Sequence, residues 1–309
     1  MILYKAGEGF FLNLGKLAFF ATIALSFIFQ NDFIYFWLHM HTENARLVAA
    51  ETHILYSALL KRNVTLSMYF PAADHFERKM DLLLINDGQD LVTMNFENIL
   101  SGLYSSNSIK PVFCVGIGCG PDRKNEYGTA HIPDFKGRGT KSALYQKFIF
   151  TELLPFVYNN YRHLSFAEKS FCGFSLGGLS ALDTVWNHPT EFKNAGVFSG
   201  SLWWRKVSHH HPLFDETKDR IMHNRIRTGR YYPWLRFFFE TGTLDETEDR
   251  NNNGIIDSID DTMALIEELV QKGYDPRRDI FYLELKEGRH DVPTWGKAFP
   301  FFLKWCWGN

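Results

Sequence analysis

The segment Gly173–Gly178 constrains the fold more than any other part of this chain. Its sequence is G-F-S-L-G-G, and it lies between a short strand-like run at residues 170–172 and a helix-like stretch at residues 176–186. This is the form of a nucleophile elbow, a tight strand-to-helix turn that exposes a serine hydroxyl above a sheet. Glycines suit it because strand and helix approach with little room for side chains. The turn also places Ser175 at a helix N-terminus, where free N–H groups favour developing negative charge.

Two later segments supply the partners that a nucleophilic serine needs. Arg236–Glu240 is predicted as a buried strand, followed by an exit loop that ends in Asp245. Ile280–Leu285 is predicted as the next strand, followed by a loop that contains His290. In an open α/β sheet, loops beyond the C-terminal ends of the strands build the site. The imidazole takes the proton of Ser175, and the carboxylate fixes the tautomer and stabilises the imidazolium.

Alternatives exist for two of these roles. The chain contains 12 histidines, and His290 is favoured because it follows an apolar strand near the C-terminus, within the sequence G-R-H-D. For the acid, Asp245 is favoured, and three neighbouring carboxylates compete with it: Glu246, Asp249 and Asp291.

Six motifs between about Ser57 and Trp307 carry a family resemblance. They are L-L-L-I-N-D-G-Q-D (82–90), R-K-N-E-Y (123–127), G-F-S-L-G-G (173–178), F-S-G-S-L-W-W (198–204), E-T-G-T-L-D-E (240–246) and G-R-H-D-V-P-T-W (288–295). In these motifs the chain resembles the enterochelin esterase-like and esterase D-like branch of the α/β-hydrolase superfamily. That branch includes feruloyl and acetylxylan esterases, S-formylglutathione hydrolase and mycolyltransferases.

The resemblance implies an oxyanion hole made of two backbone N–H groups. Carried over to this chain, the donors belong to Gln89, just past the Asp87-Gly88 pair, and to Leu176, which follows the nucleophile. Asp87-Gly88 is also a typical turn after a strand, and the two interpretations are compatible.

The order of predicted elements indicates an α/β fold. Strands that alternate with helices favour a mostly parallel sheet covered on both faces. A length of 309 residues fits one α/β-hydrolase esterase domain, residues 40–309, with an N-terminal extension at residues 1–39. The net charge of −2 gives no indication of a nucleic-acid partner. Four cysteines without C-x-x-C spacing or a disulfide pattern favour a reducing compartment, and we expect a cytoplasmic protein.

The N-terminal extension leaves alternatives open. Leu17–Phe29 is an apolar run of signal-peptide length, but no small-residue cleavage site follows it. It is short for a transmembrane helix, which needs about 20 residues. A second apolar patch at residues 33–38 makes a membrane-anchored or exported protein an alternative, and only then is a membrane a partner. The other interpretation is that Met40 is the natural start.

The segment between residues 202 and 234 is the longest without a predicted strand. In this fold such an insertion caps the nucleophile, so its aromatic and basic side chains are candidates to bind an aromatic or anionic ester. The substrate-binding candidates of the chain are Trp203, Trp204 and Arg123. The alternative is a solvated surface segment with ordinary core anchors. The adjacent histidines at 209–211 are unsuited to a metal, because adjacent side chains cannot all point at one ion.

A calcium-binding pattern follows the predicted acid. Residues 249–260 match D-x-N-x-N-G-x-I-D-x-x-D, with glycine at the position of the sharp turn. The candidate ligands are Asp249, Asn251, Asn253, Ile255, Asp257 and Asp260. Position 12 is Asp, as in dockerin-type loops, whereas EF-hands have Glu there. The alternative is an Asx-rich turn that caps the next helix. If calcium binds, its role is structural, and the chemistry itself requires no cofactor.

These features together predict a serine hydrolase that cleaves a carboxylic ester through an acyl-enzyme. The expected partner is a small-molecule, carbohydrate or siderophore ester. One alternative is an acyltransferase that uses the same acyl-enzyme. A second, from a different class, is a non-catalytic calcium-dependent binding module.

Overall fold

The computed structural model describes residues 47–72 and 78–309. Within them, eight strands form a single sheet in the order β1-β2-β4-β3-β5-β6-β7-β8. The strands are β1 (Val48–Ser57), β2 (Arg62–Pro71), β3 (Lys79–Asn86), β4 (Val112–Ile117), β5 (Ser165–Phe174), β6 (Asn194–Phe198), β7 (Arg236–Leu244) and β8 (Ile280–Arg289). Only β2 pairs antiparallel, with β1 and β4, among these strands. The sheet is therefore mostly parallel, as predicted.

Helices cover both faces of this sheet. They are α1 (Asp90–Thr93), α2 (Phe96–Ser105), α3 (Arg123–Glu126), α4 (Ser142–Phe148), α5 (Leu154–Asn160), α6 (Leu176–Asn187), α7 (Glu216–Asp219), α8 (Ile221–Thr228), α9 (Asp257–Lys272) and α10 (Val292–Trp307). Apolar residues of α4, α5, α6, α8 and α9 form the core on one face. Those of α1, α2 and α10 form the core on the other face. This two-layer burial leaves the loops at the strand ends free to build a site.

The predicted strands are all present, but several are longer than expected. Strands β7 and β8 continue past Glu240 and Leu285, because they pair with each other as far as Leu244 opposite Arg289. The predicted exit loops therefore begin later, directly before Asp245 and His290. Strand β1 has no counterpart in the sequence analysis. It lies at the sheet edge, and large exposed residues interrupt its apolar pattern.

Residues 142–160 are helical throughout, although Pro155 lies among them. A π-helical turn at Ile149–Leu153 joins α4 to α5, with Pro155 in the first turn of α5. Proline lacks an N–H, and its ring crowds the preceding turn of an α-helix. A wider π turn gives the ring space, so the chain continues in helical form.

Other predictions on the chain have different outcomes. The segment 202–234 contains no strand, as expected, and forms α7, α8 and an isolated bridge between Arg205 and Arg220. Cys114 and Cys172 are buried strand residues with free thiols. No helix within the described ranges is long and apolar enough to cross a membrane. The predicted extension at residues 1–39, with its apolar runs and the boundary at Met40, lies outside the described residues.

Candidate active site

Ser175 occupies a strained turn between β5 and α6. Its backbone has φ 54° and ψ −122°, a conformation that is unfavourable for residues other than glycine. The turn is held by the N–H of Ser175, which donates to the carbonyl of Phe198 at 2.8 Å. A Cβ atom at Gly173 would lie 2.5 Å from the carbonyl oxygen of Gly177. The glycines are therefore required by the close approach of strand and helix, as the sequence predicts.

The loop after β3 packs directly against this turn. Asn86 Nδ2 donates to the carbonyl of Gly177 at 2.8 Å, and the Tyr145 hydroxyl donates to Asn86 Oδ1 at 2.6 Å. A Cβ atom at Gly177 would lie 2.5 Å from Asp87 Oδ2. Asp87 itself has a left-handed φ of 59°. These contacts bring together the loop that carries Gln89 and the helix N-terminus.

The two predicted oxyanion donors remain available for a ligand. Leu176 is the first residue of α6, and Gln89 directly precedes α1. Within the described part of the chain, neither N–H donates a hydrogen bond to another residue. Free N–H groups at the end of a helix bind anionic oxygen well.

Arg123, a predicted substrate-binding residue, is paired with Asp87. Its guanidinium donates from Nε and Nη2 to the two carboxylate oxygens of Asp87, each at 2.7 Å, and Nη2 reaches the carbonyl of Phe174 at 3.3 Å. A paired, planar contact of this kind fixes both partners. Arg123 therefore positions the loop that carries Gln89, and the remaining 29% exposure of its side chain faces solvent.

His290 follows β8 directly, and its pKa is lowered mainly by burial. Burial lowers its pKa below the usual value; the charge of Asp245 raises this pKa, and the charge of Arg123 lowers it. Its ring makes an edge contact with Trp295, with ring centres 5.4 Å apart. A neutral imidazole is the form that accepts a proton.

Asp245 follows β7 and interacts electrostatically with His290. Burial raises the pKa of Asp245, and the positive charge of protonated His290 lowers it. Two of the competing acids have other roles. Asp291 accepts the N–H of Thr294 as the N-cap of α10, and Asp249 accepts N–H groups from its own loop. Glu246, like Asp245, has a buried carboxylate oxygen without a hydrogen-bond partner among the described residues. Of the four acids, Asp245 has the largest effect on the pKa of His290 and stays the favoured candidate.

Ser175 and His290 share neighbours, although no hydrogen bond joins them within the described residues. Trp295, which contacts His290, stacks on Phe174 with ring centres 5.0 Å apart, and Phe174 directly precedes Ser175. Ser175 Oγ lies 3.5 Å from Ser201 Oγ. Both Asp245 carboxylate oxygens also lack a hydrogen-bond partner in this part of the chain. Such contacts commonly tighten only when substrate binds.

A pocket of about 240 Å³ is lined in part by residues of the connections that follow β6 and β7. Its lining residues are Phe135, Lys136, Arg138, Trp203, Arg205, His209, Glu246, Glu248 and Asp257. Trp203 is partly buried, and the Arg138 guanidinium lies 4.8 Å from its ring centre. Trp204, by contrast, is fully buried and packs on Gly128 and Gly139. The prediction that Trp204 binds substrate is therefore wrong, because its ring fills the core.

The candidate calcium loop brings only some of its predicted ligands together. Asn251 and Asn253 both donate from their amides to Asp260 Oδ2, at 2.8 and 2.9 Å, and Asp249 accepts the N–H of Asn253. Ile255 offers only a backbone carbonyl to such a site. Asp257 does not join the cluster.

Asp257 is instead the first residue of α9, and its Oδ1 accepts the N–H of Arg250 at 2.9 Å. No group of three or more His, Cys, Asp or Glu side chains suited to a metal occurs in residues 47–72 and 78–309. Calcium binding stays a prediction.

The sequence analysis missed two polar residues behind the site, Ser199 and Glu240. Ser199 follows β6 with a left-handed φ of 43°, and its Oγ accepts the indole N–H of Trp295 at 2.9 Å. Glu240 is a buried acid within β7. A glutamate at the end of the apolar run F-F-F-E was the available signal, since a buried strand rarely carries a charge.

The mostly parallel sheet, the strained serine between strand and helix, and the histidine and aspartate beyond β8 and β7 define an α/β-hydrolase. Solved structures share this fold. The enterobactin esterase FES from Shigella flexneri, solved with enterobactin, is 21% identical, with a TM-score of 0.64 over 86% of this chain and 60% of that chain. The siderophore hydrolase EstB from Aspergillus nidulans is 18% identical, with a TM-score of 0.59 over 83% of this chain and 94% of its own.

A ferulic acid esterase is 16% identical, with a TM-score of 0.62 over 83% of this chain and 96% of that chain. The chain spans about 60% of the length of the enterobactin esterase. No curated protein sequence matches the chain. A family model does: the family described as "Putative esterase" matches residues 57–305, and the chain belongs to it.

Proposed function

We propose that this protein hydrolyses a small-molecule carboxylic ester through an acyl-enzyme on Ser175. The observation that carries the proposal is the elbow itself, where Ser175 keeps a left-handed φ of 54° beside the unpaired N–H of Leu176. Strain of this kind costs about 1–3 kcal/mol and persists where function requires it. The elbow exposes the hydroxyl at the C-terminal ends of the parallel strands, where the sequence also has His290 after β8 and Asp245 after β7.

The steps follow from the positions of these groups. Ser175 Oγ attacks the ester carbonyl carbon while His290 takes the hydroxyl proton, and Asp245 stabilises the resulting imidazolium. The N–H groups of Gln89 and Leu176 hold the oxyanion. The tetrahedral intermediate expels the alcohol, which receives the proton from His290. Water, deprotonated by His290, then attacks the carbonyl carbon of the acyl-enzyme. The bond to Ser175 Oγ breaks, the acid leaves, and His290 returns the proton to Ser175.

The pocket beside the site supports an ester with polar or charged groups. Its walls continue from the site loops, since Trp203 closely follows Ser201 and Glu246 directly follows Asp245. Basic and acidic side chains line it together with the aromatic rings of Phe135 and Trp203. We therefore propose a siderophore-type or carbohydrate ester as the substrate class, in line with the enterobactin esterase and siderophore hydrolase that share the fold.

The test is hydrolysis of p-nitrophenyl butyrate by the purified protein. Ser175→Ala should lower kcat at least about 10⁴-fold, whereas Ser105→Ala, at an exposed serine of α2, should leave it unchanged. Equal turnover by Ser175→Ala and the wild type would refute the proposal. A panel of feruloyl, acetyl-sugar and catechol-siderophore esters then tests the substrate class. On the preferred ester, Trp203→Ala should raise KM, whereas Trp234→Ala, outside the pocket, should not.

A further inference from the structure

A second carboxyl group lies behind the proposed catalytic acid and has no part in the steps above. Glu240 belongs to β7, and only 1% of its surface is exposed. Neither of its carboxyl oxygens has a hydrogen-bond partner within the described residues. A buried carboxylate without a partner is strongly disfavoured, so such a group keeps its proton.

Glu240 and Asp245 are close enough to affect each other's ionisation. Burial raises the pKa of Glu240 to about 8, and the negative charge of Asp245 contributes to this rise. Two neighbouring carboxyl groups in a dry site cannot both ionise easily. Of the two, Asp245 is the one whose pKa His290 lowers when the imidazole is protonated during the reaction. The charge therefore belongs on Asp245 and the proton on Glu240.

Ser199 connects the two carboxyl groups. Its N–H donates to the carbonyl of Glu240 at 2.8 Å, which holds Ser199 beside β7. Its Oγ already accepts the indole N–H of Trp295, so its own proton is available to a carboxyl oxygen. Ser199 lowers the pKa of both carboxyl groups and so opposes the effect of burial on each. The left-handed backbone of Ser199 fixes this position.

We propose that Glu240, Ser199 and Asp245 form a buried unit that holds one negative charge and one proton, with Glu240 as a neutral positioning residue. The inference rests on the proposed function, since it concerns the ionisation state of the acid proposed for that site, Asp245. A single charge stabilises the imidazolium that forms during the reaction. A second charge at Glu240 would raise the pKa of His290 and favour its protonated form, which cannot act as a base.

Several charged or titratable groups face this unit. His290 and Asp291 lie in the connection between β8 and α10, Arg123 acts on His290 from the loop side, and Tyr282 lies on β8. The Tyr282 hydroxyl and Thr241 Oγ1 form a hydrogen bond of 2.7 Å, and burial raises the pKa of this tyrosine above its usual value. Of these groups, only Glu240 is expected to change charge close to pH 8.

The first test measures the proton directly and does not depend on turnover. The infrared difference spectrum between the wild type and Glu240→Gln at pH 7 should show the band of a protonated carboxylic acid, and the band should disappear well above pH 8. Glu284→Gln, at an exposed glutamate of β8, should leave that band in place. Absence of the band at pH 7 in folded protein would overturn the proposal, even if the esterase activity is present.

The second test uses the pH profile of kcat/KM for p-nitrophenyl butyrate. Glu240→Gln mimics the protonated acid, so it should keep kcat/KM within about threefold of the wild type at pH 7. It should also lack the wild-type inflection near pH 8. Ser199→Ala should lower kcat about tenfold with KM unchanged, because without Ser199 the pKa of Asp245 rises and less of the acid is ionised. A loss of more than tenfold in folded Glu240→Gln at pH 7, or an unchanged inflection, would overturn the proposal. Turnover by Ser175→Ala would instead refute the proposed function.

Discussion

Arg123 donates hydrogen bonds from Nε and Nη2 to the two carboxylate oxygens of Asp87, both at 2.7 Å. This pair connects the loop that carries Gln89 with the electrostatics of His290, because the same guanidinium lowers the pKa of the imidazole. One cation therefore serves two functions of the site. It fixes the backbone of a proposed oxyanion donor, and it keeps the base neutral.

The first prediction is that Arg123→Gln damages stability and activity in separable ways. Only 2% of the Asp87 side chain is exposed, so removal of its partner leaves a buried charge, at a cost of about 3–5 kcal/mol. Without the guanidinium, the pKa of His290 rises. The acid limb of kcat/KM should therefore move to higher pH. Urea unfolding and a pH–rate profile measure the two effects.

Arg62 offers a matched control for this prediction. It pairs with Glu126, whose side chain is also 2% exposed, and it does not act on His290. Arg62→Gln should lose a similar amount of stability while the acid limb stays in place. If both variants shift the acid limb of kcat/KM equally, the specific effect of Arg123 on the pKa of His290 is contradicted.

The second prediction concerns the strain at Ser175. Because its φ is positive, alanine at this position remains strained, whereas glycine does not. Ser175→Gly should thus be more stable than Ser175→Ala by about 1 kcal/mol, with both variants inactive. At Ser180, inside the regular helix α6, the order should reverse by a similar amount, because glycine weakens a helix. Stability is measured by urea unfolding of the four variants. If the glycine and alanine variants rank in the same order at both sites, the strain at Ser175 is contradicted.

Local sequence patterns predicted the elbow well, because the local backbone conformation, over a few residues, determines which positions must be glycine or serine. The order of Ser175, Asp245 and His290 also followed from strand patterns alone. Strand β1 was missed, since exposed Ile54 and Tyr56 break the alternation that marks a half-buried strand.

Other features depend on register between distant segments and were invisible in the sequence. Trp203 and Trp204 are adjacent and alike in type, yet one lines the pocket and the other fills the core. Ser199 and Glu240 meet only because β6 and β7 pair with Phe198 opposite Glu240. A carboxyl group at the end of an apolar strand is visible in sequence, but its neighbour across the sheet is not.

The third prediction contrasts two glycines. Gly102 lies within α2, and a Cβ atom there meets nothing within 4 Å, so Gly102→Ala should stabilise the protein by about 0.5–1 kcal/mol. A Cβ at Gly173 would lie 2.5 Å from a backbone oxygen of Gly177, which cannot move without displacing Ser175. Gly173→Ala should cost about 1–3 kcal/mol and most of the esterase activity. Full activity in a folded Gly173→Ala protein would contradict this packing.

The fourth prediction is the sequence-based one of calcium at residues 249–260. Asn251 and Asn253 both reach Asp260 with their amides, and an amide rotated by 180° would present its oxygen to an ion instead. A bound ion that stabilises only the folded state adds about 2.7 kcal/mol at 100 times its Kd. Calcium should then raise the Tm, and EGTA should reverse the rise.

Variants and a second cation make this calcium test specific. Asp260→Ala removes the ligand at the last loop position and should abolish the response, whereas Glu267→Ala, at an exposed acid of the same helix α9, should keep it. Magnesium should be much less effective, because it demands a tighter octahedral shell and releases its water reluctantly. An equal Tm in EGTA and in millimolar calcium would leave the loop as an Asx-rich turn. The hydrogen bond from the N–H of Arg250 to Asp257 would then connect this turn to the first residue of α9.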